Sequence, residues 1–364
     1  MGIPVLVAGG AGYVGAHTCK ALAGAGYTPI TYDNFSTGHA DFVRWGPLVE
    51  GDIADSAKVA EVCRAHGAVA AIHFAADAVV EESVAEPAKY YRNNVAGTLS
   101  LLEGLRAAGV QNIVFSSSCA VYGAPKDQPI TEETSPNPIN PYGMSKLMVE
   151  RILSDYERAY QLRWIALRYF NACGADPGGE IGEFRSYETH LIPRAMMWLQ
   201  GYVDEFRVFG TDYPTPDGTA IRDYIHVCDL AQGHILALSK LLTQAVGGVF
   251  NLGSGLGYSV KEVLDEIAKT AGSKIPAMAG SRRHGDPAIL LADPARARDH
   301  LGLRRPIHNS LTSSQRPGDG TKRRTQSRTR SFFTPYCHVH VLRQKVGLIT
   351  RIHCCVGGFD LANE

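Results

Sequence analysis

The chain has 364 residues, 45% of them hydrophobic, with 36 basic and 36 acidic side chains. That is enough apolar material for a core in one large domain or two lobes. A net charge of zero excludes a global field directed at nucleic acid or a membrane surface, and no apolar run reaches the roughly 18 residues of a membrane span. The start, "MGIPVLVAGG", has no basic leader or cleavage site, and Leu6 stands where a myristoylation signal needs Ser or Thr. Eight cysteines without C-x-x-C spacing argue against a zinc site and for reduced thiols in a cytoplasmic protein. The histidines show no H-x-x-x-H or carboxylate-partnered spacing, so no metal is expected.

In chain order, "IPVLVA" (3–8) predicts a buried strand and 13–26 a helix. "TPITYD" (28–33) is again a strand, followed by strands at 69–76, 112–118 and 164–171, with helices over 93–108 and 142–160 between them. Strands without polar alternation, separated by helices, predict a parallel sheet covered on both faces, the doubly wound α/β (Rossmann) class. Residues 1–173 are therefore expected to form one such domain. From Gly174 loops rich in Gly, Pro and Asp join shorter elements, and a smaller mixed α/β lobe is expected over 174–307. Residues 308–364 hold nine of the 36 basic groups and three of the 36 acidic ones, leaving the body acidic. The stretch through Arg330 lacks apolar periodicity and predicts disorder, with a strand or two after it.

Chemistry concentrates at two places. "GGAGYVG" follows the first strand and opens the first helix, with Gly9, Gly12 and Gly15 spaced G-x-x-G-x-x-G. Such a loop lets the backbone approach a diphosphate, whose charge the helix N-terminus favours. Asp33 closes the second strand, where a carboxylate accepts hydrogen bonds from a ribose diol and repels the extra phosphate of NADP; the expected cofactor is NAD. The strand "NIVFSSSCAVYG" ends in Ser116, Ser117 and Ser118, and Tyr142 and Lys146 lie four residues apart on one face of the next helix. A free phenol, with a pKa near 10, is a poor base at neutral pH. A cation about 4 Å away at an effective dielectric of ~20 contributes about 4 kcal/mol, roughly three pKa units. Tyr142 is thus expected as the acid/base, Lys146 as the group that lowers its pKa, and Ser118 as the residue that orients a substrate hydroxyl.

These motifs, with "DN" at 33–34, "GDI" at 51–53, "HFAA" at 73–76, "YYRNNV" at 90–95, "YGMSKLMVE", "RYFNACGA", "ETHLIP", "GTAIRDYIHVCDLA" and "RRHGDPA", resemble the extended short-chain dehydrogenase/reductase family. Over residues 3–307 they are similar to its UDP-sugar 4-epimerase branch. The resemblance implies that a UDP-sugar gives its C4 hydroxyl proton to Tyr142 and its C4 hydride to NAD. The tethered 4-keto sugar then turns, and the hydride returns to its other face, interconverting UDP-galactose and UDP-glucose.

The resemblance also places Tyr13, Val14, Asn34, Asp52, Ile53, Phe74, Ala75, Asn93 and Tyr169 about the cofactor. It places Asn171, His190 and Leu191 about the diphosphate, sugar and uracil, and Phe209 against the uracil. Arg222 and Arg283 become diphosphate ligands, which suits guanidinium geometry. Asp286 becomes a uridine-ribose ligand, and Leu290 lines the sugar pocket. A homodimer without nucleic-acid or membrane partners is the implied assembly.

Related dehydratases carry an Asp-Glu pair just before "VYG"; here Cys119 and Ala120 stand there, so an eliminated water has no acid/base pair. Other departures are Ala78, where some relatives have Lys, and Glu81, where Gly is usual. Leu290 replaces a Tyr of some relatives. The family's terminal amphipathic helix has no counterpart in 308–364. Two alternatives stay open: another UDP-sugar as substrate (UDP-N-acetylglucosamine or a UDP-pentose), and a non-catalytic NAD-binding regulator.

Overall fold

The computed structural model describes residues 2–303, except 186, 245, 246, 284 and 285, together with the backbone of 338–340 and 351–353. In the first half, β1 (Ile3–Ala8), α1 (Tyr13–Gly24), β2 (Tyr27–Asp33), β3 (Leu48–Glu50), α2 (Ser56–His66) and β4 (Ala70–His73) alternate. Short helices α3 (Val80–Ala85) and α4 (Pro87–Tyr90) follow, then α5 (Thr98–Ala107), β5 (Asn112–Ser118), α6 (Pro141–Tyr160) and β6 (Arg163–Tyr169). The second half carries β7 (Asn171–Cys173), α7 (Leu191–Leu199), β8 (Phe206–Phe209), β9 (Ile221–His226), α8 (Val227–Thr243) and β10 (Gly248–Leu252). It continues with β11 (Gly257–Ser259), α9 (Val260–Ala271), β12 (Ala277–Gly280) and β13 (Ile289–Leu290).

Seven parallel strands form the main sheet in the order β10-β6-β5-β4-β1-β2-β3. Strand alternation sorts its two cores. Val5 and Val7 of β1 face the layer of α1 and α8 with Leu22, Leu230 and Leu238. Leu6 and Ala8 face the layer of α2, α5 and α6 with Val59, Leu101, Val149 and Leu153. Both faces are dry, which is why these strands read as unbroken apolar runs. The expected doubly wound sheet is thus present.

Several elements differ from the sequence expectation. The strand expected over 164–171 stops at Tyr169, and Asn171 begins β7, which pairs with β9 in a second sheet. The helix expected from residue 93 opens with a π-helical stretch, Tyr91–Gly97, before α5. Strand β3, helix α2 and strand β10 had no expectation. Asp55 caps α2 by accepting from Lys58 N–H (3.0 Å), and Gly67 ends it in the left-handed region.

Within 174–307, α7 and α9 enclose a separate core of Ile192, Met196, Phe206, Val263, Leu264 and Ile267. Yet α8 and β10, in the same span, belong to the large sheet. The chain therefore returns to the first layer system, which a linear division at residue 174 does not express. Among residues 308–364, His338–His340 and Arg351–His353 pair as antiparallel strands; the disorder expected through Arg330 lies outside the described residues.

Candidate active site

Every strand end that carries chemistry opens on the same edge of the sheet. Gly9 follows β1, Asp33 closes β2, Phe74 follows β4, Ser118 closes β5 and Tyr169 closes β6. This C-terminal edge is where doubly wound sheets hold ligands.

The first loop is shaped for close approach. Gly9 has φ +79°, and a Cβ there would lie 2.5 Å from Ala75 N; at Gly15 it would lie 2.1 Å from the Gly9 carbonyl oxygen. Helix α1 begins at Gly12 with no side-chain cap and no acidic residue in its first turn, so its N-terminal N–H groups keep their attraction for an anion. Tyr13 and Val14 form that first turn, and the Tyr13 hydroxyl donates to Gly174 O (2.5 Å).

Asp33 is buried, and its carboxylate accepts from Ala11 N–H and Phe35 N–H, both 2.9 Å. Burial raises its pKa, and these two bonds oppose the rise. Asn34 donates to Asp52 Oδ2 (2.9 Å), next to buried Ile53. On the far side Asn93 donates to Asp77 Oδ2 (3.0 Å), Phe74 packs its ring 4.7 Å from that of His234, and the Tyr169 hydroxyl bonds His234 Nε2. A glycine loop without Cβ atoms, an uncapped helix start and a diol-accepting carboxylate suit a dinucleotide such as NAD.

Above this cradle stands α6. Asn140 caps it by accepting from Gly143 N–H (2.8 Å), and Pro141 fixes its first turn. The helix thereby aims Tyr142, Lys146 and Glu150, each four residues on, at the end of β5. Lys146 Nζ donates to Ser116 O (2.8 Å) and lies 5.8 Å from the Tyr142 ring centroid and 4.9 Å from that of Phe115.

The electrostatics differ from the sequence expectation. Burial pushes the Tyr142 phenol up to about 12, while the Ser118 hydroxyl pulls it down and, more weakly, the Arg185 guanidinium does too. Burial also pushes the Lys146 ammonium down to about 7, opposed by Glu150. The three-unit lowering of Tyr142 by Lys146 is therefore absent from this state. Desolvation, which the pairwise argument leaves out, is the largest influence on both groups.

The remaining expected residues lie across from α6 in the second lobe. Asn171 opens β7; His190 and Leu191 sit at the start of α7; Phe209 ends β8, 40% exposed, with the Arg283 guanidinium 4.3 Å over its ring. Arg222 and Asp286, assigned to different parts of the substrate, form an ion pair with each other. Leu290 is in register with Arg222 on β13 and packs against the cluster of Cys119, Val121, Tyr122 and Phe170. Glu81 lies exposed in the first turn of α3.

Two groupings escaped the sequence. Glu183, Glu188 and His190 bring ligand atoms within 4.8 Å of one another. His190 Nδ1 is 2.7 Å from Glu183 Oε1, so the carboxylate partner that sequence spacing did not reveal comes seven residues earlier. This set could hold a cation, although the Arg185 guanidinium, 3.6 Å from Glu183, already supplies positive charge. The second grouping is Glu150 with Arg168 and Ser117, buried under Lys146; the Lys146 to Glu150 spacing of four was its only sequence signal.

The NAD dependent epimerase/dehydratase family matches residues 5–253. The chain is 50% identical over 301 residues to UDP-glucose 4-epimerase of Rhizobium leguminosarum bv. trifolii, covering 83% of this chain and 92% of that one. The crystal structure of UDP-glucose 4-epimerase from Brucella ovis in complex with NAD superposes with a TM-score of 0.81 at 55% identity, over 84% of this chain and 94% of that one. The enzyme of Bifidobacterium longum, solved with NAD+ and UDP, gives 0.80 at 40% identity over 84% and 94%. With a match over more than half its length and relatives this similar over more than four fifths of the chain, the chain belongs to the NAD dependent epimerase/dehydratase family.

Proposed function

We propose that the protein is an NAD-dependent isomerase that interconverts UDP-galactose and UDP-glucose at C4. The observation that carries this reading is the alignment of Ser118, Tyr142 and Lys146 at the edge that also bears Gly9, Gly15 and Asp33, with no acid/base pair beside them. Position 120 is Ala, and burial pushes the Cys119 thiol up to about 12. Positions 119 and 120 thus offer a keto sugar no acid/base pair for removing water, which favours return of the hydride.

The cofactor, when bound, supplies a hydride acceptor and donor for C4, and its nicotinamide adds a positive charge that favours phenolate. Gly9, Gly12, Tyr13, Val14 and Gly15 would hold its diphosphate, and Asp33, Asn34, Asp52, Ile53, Phe74, Ala75, Asn93 and Tyr169 its remaining parts. Tyr142 takes the C4 hydroxyl proton and later returns one. Ser118 holds that hydroxyl, and Lys146 supplies positive charge beside the phenol. Arg222 and Arg283 bind the diphosphate, which requires Arg222 to leave Asp286 and frees that carboxylate for a ribose. Phe209, partly exposed, offers a ring for the uracil, while Asn171, His190, Leu191 and Leu290 surround the sugar and its linkage.

Purified protein incubated with UDP-galactose is expected to form UDP-glucose, and denaturation should release NAD. Absence of both products would sink the reading. Parallel assays with UDP-N-acetylgalactosamine decide how much room Leu290 leaves. We also infer a homodimer in the cytoplasm. Exposed Leu99 on α5 and Met148 on α6 suit a helix-to-helix contact, the five described cysteines are free thiols, and no described helix is long and apolar enough to cross a membrane. Sedimentation at one protomer's mass would remove the dimer.

A further inference from the structure

Lys146 is an ammonium with 3% of its surface exposed, and its hydrogen bond to the Ser116 carbonyl leaves two donor hydrogens to satisfy. A lone buried cation tends to lose its proton rather than its hydration. The groups facing it are few. Strand β5 contributes the Ser116 carbonyl and the Phe115 ring, and β4 contributes His73, which burial, aided by the Lys146 charge, pushes down to about 3 and so holds neutral. Helix α6 contributes Tyr142 and, one turn on, Glu150, which is paired with Arg168 of β6; Tyr169 points to the other face of the sheet, toward His234. Glu150 is the only carboxylate among them.

Glu150 is held with unusual completeness. Its Oε1 accepts from Ser117 Oγ (2.6 Å) and Arg168 Nε (2.9 Å), and its Oε2 accepts from Arg168 Nη2 (2.6 Å). Arg168 is itself fixed, its guanidinium 4.7 Å over the Tyr122 ring. Adjacent residues of β5 thus receive the two side chains: Ser116 takes Lys146 and Ser117 takes Glu150. The arrangement fixes a buried ion pair whose carboxylate lies one helical turn beyond the ammonium, on the side away from Tyr142.

We infer that Glu150 is a positioning residue for the reaction, keeping Lys146 charged beside Tyr142 while Arg168 and Ser117 hold the carboxylate in place. This inference rests on the reading of Tyr142 and Lys146 given above. Without Glu150's charge, the burial that already draws Lys146 down to about 7 would act unopposed. Lys146 would be neutral at physiological pH, and the phenol would lose its cation.

The test is a direct titration of Lys146 by NMR in lysine-labelled full-length protein, its signal assigned by its loss in Lys146→Met. This readout needs no turnover, so it stands apart from whether the protein epimerises UDP-galactose. Glu150→Gln keeps a hydrogen-bonding side chain of the same shape but no charge; the midpoint of Lys146 should fall by about one pH unit or more. The alkaline limb of turnover should fall with it. Ser117→Ala removes one clamp and keeps the carboxylate, so it should lower thermal stability and leave the midpoint where it is. An unmoved midpoint in Glu150→Gln overturns the inference. If that variant does not fold, Ser117→Ala still decides, because a midpoint that drops with the carboxylate present shows that packing, not charge, governs Lys146.

Discussion

Tyr142 and Lys146 show how far a pair of residues can be read in isolation. Their spacing put them on one helix face, and α6 indeed presents both at the end of β5. The expected net lowering of Tyr142 is not what the structure shows, because both side chains are buried and desolvation dominates each of them. The consequence is a phenol that stays protonated until further positive charge arrives. Tyr142→Phe should therefore lower turnover by a factor of about 100 or more while the purified protein still carries its NAD, measured by release on denaturation. Retained turnover would move the acid/base role elsewhere. Glu183, Arg185, Glu188 and His190 were harder to read. They come from one loop whose fold, not its spacing, brings His190 onto Glu183.

Helix α1 carries the second prediction, and two of its glycines make it a paired one. Gly15 packs on the Gly9 loop so tightly that an added Cβ would lie 2.1 Å from a backbone carbonyl, which cannot swing aside. Gly15→Ala should therefore destabilise by about 1–3 kcal/mol or more and release the cofactor. Gly24, at the other end of the same helix, has nothing within 4 Å of that position. Gly24→Ala should stabilise by about 0.5–1 kcal/mol with cofactor content unchanged. Thermal melts of both variants check the pair, and equal effects would mean the loop does not press on the helix as described.

The strands that sequence reading found are those with an unbroken run of buried, mainly apolar positions. Strands β1 and β5 were bounded correctly because each holds a run of buried apolar residues, Val5 to Ala8 and Ile113 to Phe115, that stops at the glycine loop or the serines. Strand β3 has three residues and exposed ends, and β10 follows a long stretch of looser composition, so neither had a periodic signal. The π-helical stretch Tyr91–Gly97 could not be read either, since its apolar spacing resembles that of an α-helix. It turns Asn94 toward Asp77 and Ser145, a local adjustment of the kind π-helical turns make at functional sites.

At the scale of the whole molecule, the polar residues buried in the two layers of the seven-stranded sheet shape the response to acid. His17, His73 and His234 are all less than 4% exposed, and burial pushes their pKa values down to about 4, 3 and 4. Each ring is hydrogen-bonded inside the fold, but burial is the largest cause of its shift and outweighs the carbonyls that favour a charged ring. His17 Nδ1 pairs with Tyr13 O, His73 Nε2 with Thr98 Oγ1, and His234 joins Leu230 O to the Tyr169 hydroxyl. In the unfolded chain the same rings take up protons near pH 6.5. Below that pH the unfolded state therefore binds more protons than the folded one, and stability falls with falling pH. The window runs from about pH 6.5 down to the folded values. Its upper part, to about pH 5, lies above the range where unfolded carboxylates titrate. Lys146, with its folded value near 7, has regained its proton in both states over most of that part. Burial raises Asp33, Asp223 and Glu188, which take up protons in the folded state first and so oppose the trend. The histidine contribution alone approaches three protons, or about 1.4 kcal/mol per pH unit for each ring. The denaturation free energy measured between pH 6.5 and 5 should fall accordingly, and His234→Gln, which keeps a hydrogen-bonding group beside Tyr169, should remove about one proton from the slope. A stability that is flat over this range, or a slope unchanged by that substitution, would mean that the sheet admits water to these rings and that its faces are not as dry as the packing indicates.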